Sequence, residues 1–120
     1  MRAIINSMWC DELDVPLEKY QPENPKCFGL RISLRIGSDE GSGTNDFDIY
    51  VVTPDWLELM LRYEWDRAHW GLHMLMVLEY DFDLINNRIR KYIEECTGKD
   101  FLELALKISR IAAWEFDGKQ

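Results

Sequence analysis

The sequence predicts an α+β domain: an antiparallel sheet of about four to five strands with three helices, mainly packed on one face. Three observations carry this expectation. Residues 28–36 place Phe28, Leu30, Ile32, Leu34 and Ile36 on one side of a strand and Gly29, Arg31, Ser33 and Arg35 on the other, so one sheet face is wholly apolar. Residues 46–57 change period at Thr53-Pro54, where a strand becomes a helix. Strand patterns then dominate the first half of the chain and helix patterns the second, which is the grouping of an α+β fold and not the regular alternation of a parallel one.

Taken in order, residues 3–9 read as a first strand. Residues 11–26 carry Pro16, Pro22 and Pro25, which remove backbone donors and bias their neighbours away from helix. They predict a long ordered loop, with Leu17 and Tyr20 as anchors to the core. The loop at residues 37–45 is rich in glycine, serine and acid, and the two strands around it read as a hairpin with a long acidic tip. Phe47, Ile49 and Val51 line the core side of the second hairpin strand. Thr53 suits an N-cap and Pro54 the first helical position, with Asp55 favoured by the helix dipole. Trp56, Leu57, Met60 and Leu61 give that helix an apolar stripe.

An aromatic connection follows, holding Tyr63, Trp65 and Trp70. Residues 72–80 then form a nearly continuous apolar run, which predicts a third strong strand, central and covered on much of both faces. Asp81 or Asp83 caps the next helix, whose stripe is Ile85, Ile89, Tyr92, Ile93 and Cys96, with Gly98 as its stop. Asp100 and Glu103 make a capping-box-like start for a last helix. Leu102, Ala105, Leu106 and Ser109 line one side of it, and Leu104, Ile108 and Ile111 widen the stripe. Trp114 and Phe116 alternate as a short edge strand would.

At 120 residues the chain is long enough for a single domain, 1–120, with one core. Its 22 acidic against 14 basic side chains give a formal net charge of -8. Such a surface repels nucleic acid and anionic membranes and attracts basic proteins. Cys10, Cys27 and Cys96 are odd in number and lack the spacing of a zinc or redox site, so they read as reduced thiols of a cytoplasmic protein. No apolar run is long enough to span a bilayer, and the N-terminal apolar stretch is too short for a signal peptide.

Few constellations carry chemistry. His69 and His73 have the spacing of two zinc ligands on a helix, but on a strand they stand about 13 Å apart. Asp81 and Asp83 with a histidine would define a small metal-dependent hydrolase, yet carboxylates at a helix start are already explained by capping. The glycine-rich loop lacks lysine and carries Asp39 and Glu40, so it would repel phosphate. Cys96 sits at a helix C-terminus, where the dipole disfavours thiolate. The residues therefore describe an acidic, non-enzymatic domain that needs no cofactor or metal, with the metal hydrolase as the alternative.

The wording of several segments goes further. Residues 20–25 followed by Phe28-Gly29, the strand ending at Ile36-Gly37, the segment Phe47-Asp48-Ile49 leading to Thr53-Pro54-Asp55-Trp56-Leu57, then Gly71-Leu72-His73, Glu79-Tyr80-Asp81 and Trp114-Glu115-Phe116 together resemble the immunity protein 8 family. The resemblance spans almost the whole chain. It implies an immunity protein of a bacterial polymorphic toxin system, contact-dependent growth inhibition systems included. Such a protein binds the C-terminal toxin domain encoded beside it and neutralises it in the producing cell. Toxins of these systems are frequently nucleases, which tend to be basic, and that suits an acidic partner. The resemblance defines no binding site. Candidate contacts chosen by charge are Asp11, Glu12, Asp14, Glu23, Asp39 and Glu40, with Trp65 and Trp70 as aromatic anchors. Direct contact with nucleic acid or membrane is not expected, and a homodimer stays open.

Overall fold

The computed structural model describes residues 1–41 and 43–116. Strands β1 (Ala3–Trp9), β2 (Gly29–Ser38) and β3 (Asn45–Val52) form an antiparallel meander. In β2–β3, Ile36 pairs with Asn45 at the hairpin end and Gly29 with Val52 at the other. β1 slips register between Ile5 and Ser7. That bulge reverses which residues face inward. Ala3 and Ile5 are buried before it, whereas after it Met8 joins the core and Trp9 turns outward beside Ser33.

The far edge of β3 is shared end to end by two short strands. β5 (Ala113–Trp114) pairs antiparallel with Phe47 and Asp48. β4 (Met74–Met76) pairs parallel with residues from Tyr50 to Val52. The parallel pairing makes β3, helix α1 (Pro54–Tyr63) and β4 a crossover unit, so α1 lies across one sheet face. Architecture and strand number match the α+β expectation, with β4 the one parallel member.

The reading of residues 72–80 as a central strand is corrected. Only Met74–Met76 pairs, at an edge. His73 has a left-handed φ of 58° that ends the strand in front, and Met76 and Leu78 are 66% and 83% exposed. An apolar run signals burial only if something covers it. Here Leu75 and Val77 face the core while Met76 and Leu78 stand free.

Helices α2 (Phe82–Glu94) and α3 (Phe101–Ile108) close the apolar face. Ile85, Ile89 and Ile93 of α2 are buried, and the Asp81 carboxylate accepts from Leu84 N at 3.2 Å as the cap. α3 is capped by Asp100, which accepts from Glu103 N at 2.9 Å. Its buried stripe is Leu104, Ala105 and Ile108. Leu102 and Leu106, expected inside, are exposed. This helix is apolar nearly all round, so its sequence does not single out one stripe. Gly98 lies beyond the end of α2 and leaves room for α3, since a Cβ there would meet Leu104 N at 2.8 Å. Leu17 is buried and Tyr20 meets Tyr80 edge to face, both anchoring the long loop as expected.

Candidate binding surface

α1 does not join this core. None of its residues is fully buried, and the core cluster draws its helical members from α2 and α3. Alternation along β2 explains why. Leu30, Ile32 and Leu34 point to α2 and α3, so Gly29 points the other way, and a Cβ on Gly29 would lie 2.4 Å from the Trp56 ring. The missing side chain is the seat in which Trp56 rests, on the face opposite α2 and α3. Thr53 locks the joint. Its hydroxyl oxygen accepts from Phe28 N at 3.1 Å and from Trp56 N at 3.4 Å, and it is fully buried.

Between α1, the aromatic connection and the start of β2 lies a cleft of about 650 Å³. Trp56, Trp65 and Trp70 form its aromatic wall, Tyr50 and Met74 its sheet side, and Glu12 and Glu64 supply carboxylates. Trp65 is held in place: it meets Trp56 edge to face at 5.6 Å and stacks on His69 at 3.8 Å. Trp70 is 85% exposed. No lysine or arginine is found among the described residues that line the cleft.

Beyond the cleft the same sheet face is polar and internally paired. Asp48 accepts from the Ser33 hydroxyl at 2.7 Å, and Asp46 pairs with Arg35 at 3.0 Å. The Arg35 guanidinium lies 5.3 Å above the Trp9 ring.

The sequence candidates divide between two ends of the molecule. Glu12, Trp65 and Trp70 come together at the cleft. Asp11 is beside them, accepting from Trp9 Nε1 at 2.8 Å and 3.9 Å from Arg31. Asp14 lies further along the same loop, and Glu23 stands exposed on the turn between Tyr20 and Cys27. Asp39 and Glu40 sit at the opposite end of the hairpin, a ten-residue strand away, which is about 30 Å. There Asp39 accepts from Arg2 N at 2.8 Å, and Glu40 pairs with the Met1 amino group at 2.6 Å. Charge reasoning missed Tyr50, Trp56, Glu64 and Met74. The signal was Gly29, a glycine that opens the outward side of a long strand.

Other groups are occupied structurally. His73 Nε2 donates to the Ser109 carbonyl at 3.0 Å. Burial pushes the Cys10 and Cys96 thiols up, against nucleophile chemistry, and Cys96 Sγ donates to the Tyr92 carbonyl. Among the described residues, no three His, Cys, Asp or Glu side chains converge as a metal site would require.

The immunity protein 8 profile matches residues 3–118. The chain belongs to the immunity protein 8 family. Comparison with curated proteins and with solved structures found no match. In this immunity protein 8 chain, the segments that carry the resemblance hold the fold together. Thr53 caps α1, Asp81 caps α2, and the Tyr80 hydroxyl donates to the Leu17 carbonyl at 2.8 Å. Gly29, Trp56 and Leu72 of those segments also line the cleft. Among the described residues, no helix is long and apolar enough to cross a membrane.

Proposed function

We propose that the chain binds and neutralises the toxin domain encoded beside it, in the cytoplasm of the producing cell, by covering the toxin's active site or substrate-binding surface. The toxin is a basic protein, a nuclease of a polymorphic or contact-dependent inhibition system. The observation that carries this reading is family membership over residues 3–118. The net charge of -8 supports a basic partner, since opposite charge accelerates encounter. The chain acts by binding and performs no catalytic step. Glu12, Trp65 and Trp70, which line one cleft, are the candidate contacts this reading favours, with Asp11, Asp14 and Glu23 at that end of the sheet and Asp39 and Glu40 as a separate acidic tip.

Co-expression tests this. Cells making the neighbouring toxin domain survive only when they also make this chain, and the purified pair binds with an affinity that falls as salt rises. Death of the co-expressing cells, with both proteins soluble and present, contradicts the proposal. A homodimer is a second reading, favoured by exposed Met76 and Leu78 beside the edge strand β4. Sedimentation of the pure chain decides it.

A further inference from the structure

We propose that the cleft receives an arginine side chain of the protein partner. The inference deepens the neutralisation reading and rests on it for the partner's identity. Three of the five tryptophans converge at the cleft, and Glu12 and Glu64 line it with them. Indole faces attract cations, and carboxylates beside them accept charge-assisted hydrogen bonds. No described lysine or arginine of the chain lines the cleft to fill that role.

The protein contains its own version of the completed arrangement. On the open sheet face, Arg35 lies over Trp9 while Asp46 holds the guanidinium at 3.0 Å. Indole, carboxylate and guanidinium are all present there. The cleft has the first two and lacks the third. Arginine fits better than lysine, because a planar guanidinium stacks on an indole face and pairs with a carboxylate through two parallel bonds. Trp65 is fixed between Trp56 and His69, so part of the receiving surface is ordered before binding. The volume of about 650 Å³ exceeds one side chain, so the arginine enters with its neighbours on a partner loop.

The test follows the five indole N–H signals of the full-length chain by NMR during titration with acetyl-Gly-Arg-Gly-amide. Saturable shifts are expected at Trp56, Trp65 and Trp70, with Trp114, which packs on Phe47 at the helix-covered side, unmoved. The citrulline peptide, neutral and nearly isosteric, should bind about 10-fold more weakly or worse. Glu12→Gln and Glu64→Gln should each weaken arginine-peptide binding by about 3-fold or more. Glu95→Gln, an equal charge change at the end of α2 on the helix-covered side, should leave it unchanged. Equal response to the two peptides, or no response at the three cleft indoles, overturns the inference. Shifts that depend on protein concentration without peptide would assign the cleft to a second copy of the chain and overturn it too.

A second arm uses the toxin domain. Trp70→Ala should lower affinity about 30-fold or more, as loss of an interface anchor does. If the unaltered chain protects cells while Trp70→Ala, Glu12→Gln and Glu64→Gln bind the toxin undiminished, the cleft assignment fails and neutralisation stands. If the unaltered chain gives no protection, neutralisation fails, and the peptide titration still decides what the cleft binds.

Discussion

The two faces of the sheet are covered by helices in different ways. α2 and α3 seal one face with fully buried isoleucine and leucine, and side chains such as Leu34, Ile36 and Ile93 have no exposure at all. On the other face α1 covers only one end, none of its residues is fully buried, and three tryptophans stand around a cleft. The first face is where stability resides. The second spends apolar and aromatic groups on a surface that stays partly wet, as a partner-binding surface would. A single β3–α1–β4 crossover creates this asymmetry by carrying one helix to the far side.

The largest expected effect probes the sealed face. Phe47→Ala removes a buried ring that stacks on Trp114 and should cost about 3–5 kcal/mol in denaturant unfolding. Trp70→Ala on the other face should stay within about 0.5 kcal/mol of the unaltered chain. Similar losses for both would erase the distinction between the faces. Gly29→Ala comes next. Its Cβ would lie 2.4 Å from the Trp56 ring, so the ring or the helix that carries it must shift, at about 1–3 kcal/mol. Tryptophan fluorescence should change with it, and an unchanged spectrum and stability would show that the seat of Trp56 is loose.

Thr53→Ala removes the cap of α1 and leaves the buried Phe28 N–H without its hydroxyl partner, with an expected loss of about 1–2 kcal/mol. A thermal midpoint equal to the unaltered chain's would mean that the joint does not depend on this hydroxyl. The smallest effect is confined to alkaline solution. Burial pushes the Tyr80 phenol up to about 12 from its ordinary value of 10.0. Ionisation therefore favours the unfolded chain, and this contribution to stability is full below pH 10 and lost as pH rises toward 12. Tyr80→Phe should flatten that part of the pH profile. An identical alkaline profile in the variant would assign the loss to other groups.

Much of the fold was legible because its signals are local. The alternation of β2 and β3, the caps Thr53, Asp81 and Asp100, and the isoleucine stripe of α2 each need only neighbouring residues. The faces were less legible. Trp56, Leu57, Met60 and Leu61 announce that α1 is covered on one side, but not by which side of the sheet. The extent of β4 depends on the left-handed turn at His73 and on what lies over Leu78, neither of which periodicity records. The candidate site was the least legible part. Glu12, Gly29, Tyr50, Trp56 and Trp70 are scattered in sequence, and the pairing of β2 with β3 and the β3–α1–β4 crossover help to bring them to one place. Charge alone ranked Asp39 and Glu40 beside Glu12, although the length of β2 separates them.

On the proposed function, the face bearing α1 is the working surface. Hydrogen exchange of the chain, free and bound to its toxin domain, tests it most directly. New protection is expected at residues 9–12 and 56–74, with α2 and α3 unchanged. Protection confined to α2 and α3, or to the acidic tip at Asp39 and Glu40, would contradict it.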